Sequence, residues 1–176
     1  MDLVGELVKL RALRPDDAQA LAANAADPEF GRYLAGWAWN PYSVDDASDF
    51  ISRRDPSRIT WAVEVLEDHT CIGTTDLHEL DFRNRHCFWG IGIGPPSRWG
   101  KGYGTEACTL ATKFGFRQLG MEKIYLAVHQ SNDRGLRAYE KAGNKIEATL
   151  PRHHWMEGQL VTTYVMAAYR DDPVFS

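Results

Sequence analysis

The pattern of apolar residues predicts an α/β chain with a mixed sheet, its elements in the order βααβββαβαββ. Short alternating runs rich in β-branched residues recur, among them residues 60–66 and 161–169. Stripes of helical period stand between such runs, most plainly Ala107, Leu110, Ala111 and Phe114. No internal repeat and no Ser/Gly/Pro-rich linker interrupts the alternation, so a single domain over residues 1–176 is expected, with about six or seven strands and about four helices.

Residues 8–12 open the pattern, with Val8, Leu10 and Ala12 on one face against Lys9 and Arg11 on the other, as in a half-exposed strand. Pro15 suits a first helical turn, and Ala18, Leu21, Ala22 and Ala25 form an apolar stripe that stops at Asp27-Pro28. Residues 30–42 read as an aromatic loop holding Tyr33, Trp37, Trp39 and Tyr42. Ser43 caps a second helix reaching about Arg53, with Asp45 and Asp46 in the first turn, where the helix dipole favours them.

A hairpin follows, residues 60–66 and 71–80 across Glu67-Asp68-His69, and residues 87–93 return after a polar turn at 81–85. Residues 105–119 make a third helix stopped by Gly120, and residues 123–128 a short apolar strand. Residues 133–142 are helical up to Gly143. Two closing strands, 146–150 and 161–169, flank a polar loop at 153–158.

Composition bounds the function. The chain has 176 residues, 44% hydrophobic and 25% charged, enough for a sizeable core without a disulfide or metal staple. A net charge of −4 argues against a nucleic-acid footprint built on bulk positive charge. No apolar run approaches the roughly 18 residues of a membrane span, and the charged first twenty residues exclude a secretory core, so no membrane partner is expected. Cys71, Cys87 and Cys108 are odd in number and lack Cys-x-x-Cys spacing, which reads as buried thiols in a reducing, cytoplasmic setting. The adjacent pairs His86-Cys87 and His153-His154 lack zinc-ligand spacing, so no metal is expected.

Two glycine clusters carry the chemistry. Gly90, Gly92 and Gly94 share one face of a strand, which suits the close approach of a ligand or, equally, tight packing or a bulge. Gly100, Gly102 and Gly104 lie just before a helix with Arg98 and Lys101 beside them. Backbone N–H groups at such a helix start form an anion cradle for a phosphate or pyrophosphate. A Walker A loop fails, because Gly102 follows Gly100-Lys101. A nicotinamide fingerprint fits formally at Gly102-x-Gly104-x-x-Ala107, but the loop is long and no carboxylate ends the next strand at His129-Gln130.

A third cluster runs from Ser131 to Gly143. Asn132 and Asp133 sit at a strand-to-helix junction, where simple capping explains either of them. Tyr139 lies two turns beyond Asn132 on one helical face, and its plain alternative is a half-buried core aromatic.

Arg98 to Ala107 resembles the acyl-CoA-binding motif of the GNAT acyltransferase superfamily, commonly written [QR]-x-x-G-x-[GA]. Trp99-Gly100-Lys101-Gly102-Tyr103-Gly104-Thr105-Glu106-Ala107 is similar to its ribosomal-protein N-terminal acetyltransferase branch in particular. Asn132 with Tyr139-Glu140-Lys141-Ala142-Gly143 resembles the second motif of that branch. The likeness runs from about Leu10 to Ala168 in element order and implies a GNAT-like fold, a central twisted mixed sheet with flanking helices.

The resemblance implies acetyl-CoA as co-substrate, no metal, and a primary-amine acceptor, either a protein N-terminus or a small molecule; a homodimer is compatible with it. Backbone N–H groups of Trp99, Gly100, Lys101, Gly102, Tyr103, Gly104 and Thr105 would hold the pyrophosphate, with Arg98 nearby. The strand of Ile91 and Ile93 would pair with the pantetheine arm as an added strand. Asn132 would hydrogen-bond that arm, Arg137 or Lys141 would reach the adenosine phosphate, and Tyr139 would protonate the departing thiolate.

Chemistry supplies the reasons. An amine protonated at neutral pH needs a base, the oxyanion needs a strand N–H near Ile91 or Ile93, and a phenol can protonate a nascent thiolate. Phe88 stands where the branch often has an acid, so the base is expected from Glu79, with His78 and Asp76 as alternatives; a solvated strand face explains all three as well. Gly135 and Asn144 also depart from the branch pattern. The acceptor side would draw on Trp37, Trp39, His154 and Trp155, whose aromatic faces suit a cation–π site or merely close the core. A non-catalytic acyl-CoA sensor is the alternative function.

Overall fold

The computed structural model describes residues 1–34, 41–53 and 55–175. The chain runs β1 (Leu3–Val4), β2 (Val8–Arg11), α1 (Asp17–Ala25), α2 (Pro28–Gly31), α3 (Val44–Ser52), β3 (Ile59–Val65) and β4 (Cys71–Asp81). It continues as β5 (His86–Ile93), α4 (Tyr103–Arg117), β6 (Lys123–His129), α5 (Asp133–Lys141), β7 (Lys145–Met156) and β8 (Gln159–Tyr169). Among the described residues the strands form one eight-stranded sheet, ordered β1-β2-β3-β4-β5-β6-β8-β7. Every pairing is antiparallel except β5 with β6.

Alternation decides the two faces. Leu77, Cys87, Trp89, Ile124 and Leu126 are buried in one core with Ala107, Cys108 and Ala111 of α4. The opposite face carries Asp76, His78, Gly90 and Gly92, under α1 and α2. A Cβ on Gly92 would lie 3.1 Å from Phe30 Cζ, and one on Gly94 would lie 2.7 Å from Asn24 Oδ1. At Gly92 and Gly94 the bare face is therefore filled by side chains of α1 and α2, so no ligand is needed to explain it there, whereas Gly90 stands beside Asp76 and His78 of β4.

A buried charge cluster joins β2, α1 and β3. Arg11 meets both oxygens of Asp17 at 2.8 and 2.9 Å and also hydrogen-bonds Glu64, which takes Lys9 at 2.9 Å as well. Arg11 and Glu64 are 3% and 2% exposed, so each charge depends on its partners rather than on water.

Four expectations need correction. β1 is an eighth strand that a two-residue run cannot announce, and Glu106 of α4 steadies its turn by accepting the Glu6, Leu7 and Val8 N–H groups at 2.7–2.8 Å. One-turn α2 interrupts the aromatic loop as a fifth helix, because Asp27 caps it and Pro28 fits its first turn. α4 begins at Tyr103 instead of residue 105, with Gly102 as its cap. The loop expected at 153–158 is strand as far as Met156, because β7 pairs His154, Trp155 and Met156 with β8 and turns only at Glu157-Gly158.

Candidate active site

β5 and β6 are paired over three positions alone, His86, Cys87 and Phe88 against Lys123, Ile124 and Tyr125. Beyond Phe88 the two strands part, and β5 presents an open backbone edge. A cavity of about 780 Å³ opens on this gap, lined by Trp89 to Gly92 of β5, Leu126 to His129 of β6, Asn132 and Tyr139. Ile91 both lines this cavity and packs against the core, whereas Ile93 packs against the core outside the lining and accepts a 2.6 Å hydrogen bond from Trp99 Nε1 at its carbonyl.

The glycine loop lies at the end of the same edge. Gly100 and Gly102 have φ of +75° and +89°, the left-handed region that side chains disfavour. Gly102 caps α4 without a side chain, so the first-turn N–H groups of Tyr103, Gly104 and Thr105 point out of the helix start. No atom lies within 4 Å of a Cβ built on Gly100, which leaves room in front of the loop. Thr105 Oγ1 donates to the Ala138 carbonyl at 3.2 Å and ties α4 to α5.

Side chains around the loop divide by task. Arg134 stacks its guanidinium 3.5 Å from the Trp99 ring centroid, an arrangement the sequence did not reveal. Lys101 and Arg137 are exposed. Arg98 is held in an ion pair with Asp68 at 2.7 Å, with Thr70 at 3.2 Å. Hydrogen bonds from Thr70 and from Arg98 hold the Asp68 carboxyl down at about 2, so this pair is formed across the neutral range. Tyr103 is 7% exposed and belongs to the core, so it offers a ligand its N–H and not its ring.

Tyr139 reaches the cavity from α5. Its ring packs edge-on against Trp89, with centroids 5.3 Å apart at 83°. Burial pushes its phenol above the ordinary value, so the hydroxyl stays protonated, and no described residue hydrogen-bonds it. Asn132 both caps α5 and lines the cavity: its Oδ1 accepts the Gly135 N–H at 2.9 Å. A Cβ at Gly135 would fall 2.7 Å from Asn132 Nδ2, which explains the glycine at this position.

Of the three β4 candidates for the base, Asp76 and His78 line the cavity and Glu79 does not. Glu79 sits at the irregular end of β4 with φ of +52°, is exposed, and accepts a 3.2 Å hydrogen bond from the Tyr125 hydroxyl outside the cavity lining. Asp76 Oδ1 and His78 Nδ1 are 2.6 Å apart, and Arg58 approaches the other Asp76 oxygen at 3.5 Å.

On the acceptor side, His154 lines the cavity with Tyr33, Tyr42 and Phe30. Trp155 is 58% exposed and lies outside the lining, because β-strand alternation turns it away from its neighbour His154. Trp37 and Trp39 lie outside the described residues. Sequence reasoning missed His129, which is 8% exposed, stands 4.7 Å from the His154 ring, and has no hydrogen bond at Nδ1. Burial, with His154 as a smaller second cause, lowers its pKa.

An open strand edge running into a glycine-turned helix start, with a protonated phenol between them, defines an acyl-CoA-dependent acyltransferase site. Residues 8–145 match the family described as Acetyltransferase (GNAT) domain, and the chain belongs to that family. It is an acetyltransferase whose co-substrate is acetyl-CoA. A spermidine N(1)-acetyltransferase of Escherichia coli (strain K12) is 30% identical over 155 residues, 86% of this chain and 80% of that protein. An uncharacterized N-acetyltransferase of Bacillus subtilis (strain 168) is 27% identical over 161 residues, 89% of each chain.

Solved structures agree on the fold. A GNAT-family acetyltransferase from Bacillus anthracis superposes with a TM-score of 0.84 at 19% identity, covering 98% of this chain and 100% of that one. A spermidine N-acetyltransferase from Vibrio cholerae, solved with CoA and spermine, gives 0.80 at 24% identity over 94% and 96% of the two chains. Among the described residues, no three His, Cys, Asp or Glu side chains converge as metal ligands, and no helix is long and apolar enough to cross a membrane.

Proposed function

We propose that the protein acetylates a primary amine of a small polycationic molecule by direct attack on bound acetyl-CoA. The observation that carries this is the parting of β5 from β6 after Phe88, which leaves a strand edge leading straight to the helix start at Gly102. Pantetheine amides would pair with β5 around Ile91 as an added strand, with Asn132 across the gap. The first-turn N–H groups of α4 would take the pyrophosphate, where the helix dipole favours negative charge. Lys101 and Arg134 add positive charge there, and Arg137 or Lys141 would meet the adenosine phosphate.

At the reacting end, a β5 N–H near Ile91 would stabilise the oxyanion, and Tyr139 would give its proton to the sulfur as the C–S bond breaks. A cationic acceptor suits the other wall, where Asp46, Asp49 and Asp76 stand among Phe30, Tyr33 and Tyr42. The spermidine acetyltransferases among the relatives support the same acceptor class. A protein α-amino group is the second reading, favoured by the resemblance of residues 99–107 to the ribosomal-protein branch. A cytoplasmic location fits a reaction that consumes acetyl-CoA, and the free thiols support it. A homodimer would form through β7, one of the two edge strands, where Ile146 and Trp155 are exposed; sedimentation tests that state.

The test is thiol release from acetyl-CoA with spermidine, simple diamines and N-terminal peptides, with Y139F as control. The proposal expects turnover with polyamines and a kcat for Y139F lower by about 100-fold. Failure to release thiol with every amine in the panel contradicts it.

A further inference from the structure

We infer that His78, oriented by Asp76, is the general base that deprotonates the acceptor amine; the inference rests on the acetyltransfer proposed above. The reaction needs a base, and Phe88 occupies the β5 position from which the resembling branch supplies an acid. The structure offers a replacement one strand away. His78 is the direct cross-strand partner of Phe88, and their rings lie 4.8 Å apart. Phe88 is also the last β5 residue paired with β6, so this imidazole stands at the apex of the gap, where the thioester end of an added strand would come to rest. Gly90 leaves the approach open: a Cβ there would meet Asp76 Oδ1 at 3.0 Å and His78 Cε1 at 3.5 Å.

The hydrogen bonding fixes the imidazole for this task. An ionised Asp76 accepts from Nδ1 at 2.6 Å, so the proton of the neutral ring sits on Nδ1 and the Nε2 lone pair is left to accept. No described residue hydrogen-bonds Nε2. The Asp76 and His78 side chains are 15% and 22% exposed, which keeps the pair partly out of water yet within reach of the cavity.

Among the described residues the charged surroundings are few. Asp76 shares the strand, and Arg58, just before β3, approaches Asp76 at 3.5 Å. Asp46 and Asp49 of α3, with Arg53 just after it, stand across the cavity. From β5 His86 turns to Asp81, and from β6 Tyr125 turns to Glu79. Among the described residues, Asp76 is thus the one carboxylate that bonds the ring, and the acids of α3 draw an ammonium group toward it.

The step balances. His78 Nε2 takes one proton from the ammonium group, and the freed nitrogen attacks the thioester carbon. The C–N bond forms and the C–S bond breaks. The sulfur takes the Tyr139 proton, and the second nitrogen proton replaces it through solvent. Imidazolium releases its proton to water before the next cycle. His78 is catalytic in this scheme, and Asp76 is a positioning residue.

The experiment compares wild type, H78Q, H78A and D76N in polyamine-dependent thiol release across pH, with calorimetry of acetyl-CoA binding alongside. H78Q is expected to lose about 100-fold in kcat with acetyl-CoA affinity unchanged, and to lose the acidic limb of the kcat profile. Added imidazole is expected to restore part of the H78A rate. D76N, close in shape to Asp, is expected to lower kcat and displace the same limb. Wild-type turnover with an unaltered rate and pH profile in H78Q overturns the dyad alone. A D76N protein with an unaltered profile overturns the positioning role. A wild type that releases no thiol with any amine overturns both this inference and the acetyltransfer beneath it.

Discussion

The Arg134 guanidinium lies 3.5 Å from the centroid of the Trp99 ring, so the first turn of α5 is pinned to the loop that precedes α4. This contact sets a cation beside the proposed diphosphate cradle and braces Trp99, whose indole N–H is tied to the Ile93 carbonyl. A cation–π contact contributes about 0.5–2 kcal/mol. R134A is accordingly expected to raise KM for acetyl-CoA by roughly 2- to 30-fold with little change in kcat, measured by steady-state thiol release.

Gly102 and Gly104 separate backbone need from ligand need. Gly102 has φ of +89° and a Cβ there would press on Leu7 at 3.1 Å, so G102A is expected to destabilise the protein by about 1–3 kcal/mol and to weaken acetyl-CoA binding. Gly104 lies inside α4, where a Cβ comes no closer than 3.9 Å to Ile93. G104A is expected to leave the melting temperature unchanged or higher, since Ala is the better helix former by about 1 kcal/mol. Its acetyl-CoA affinity is nonetheless expected to fall, because the proposed diphosphate site lies against that bare backbone. Melting curves with and without acetyl-CoA check both variants.

Glu64 governs acid stability. Although its burial works the other way, hydrogen bonds from Lys9 and Arg11 hold its carboxyl down at about 2, below the ordinary value of 4.5, and Arg11 lowers Asp17 as well. The unfolded chain therefore binds protons first as pH drops. Stability from this cluster is complete above about 4.5 and is lost toward 2. E64Q leaves Arg11 short of a buried partner and is expected to cost about 3–5 kcal/mol at neutral pH. Urea unfolding at pH 7 and pH 3 is expected to show a smaller pH difference in E64Q than in wild type.

His129 acts at higher pH. Burial lowers its pKa below the ordinary 6.5, so the unfolded chain takes up this proton before the folded one. Stability is expected to decline as pH falls through about 6.5. In H129Q, melting temperatures between pH 8 and 5.5 should show a flatter decline.

Periodicity exposed most of the fold because burial writes itself into local alternation. β3, β4 and α4 could be seen from residues such as Val63, Leu77 and Ala111, each buried where its pattern put it. Local sequence says less about contacts made at a distance. β1 depends on Glu106, about a hundred residues away, and the stack of Arg134 on Trp99 joins separate elements. Gly102 and Asn132 were legible because a helix start and a cap demand them locally, Gly100 because its turn takes a positive φ, and Tyr139 only through its spacing from Asn132 and the motif it resembles. The choice among Asp76, His78 and Glu79 was not legible, because the irregularity after His78 breaks the alternation that would have assigned their faces.

Calorimetric titration of acetyl-CoA into the purified protein bears most directly on the site. One saturable binding event per chain is expected, weakened in G102A and retained in Y139F. Absence of any heat of binding from both acetyl-CoA and free CoA would contradict the assignment of the β5 edge and the α4 start as their site.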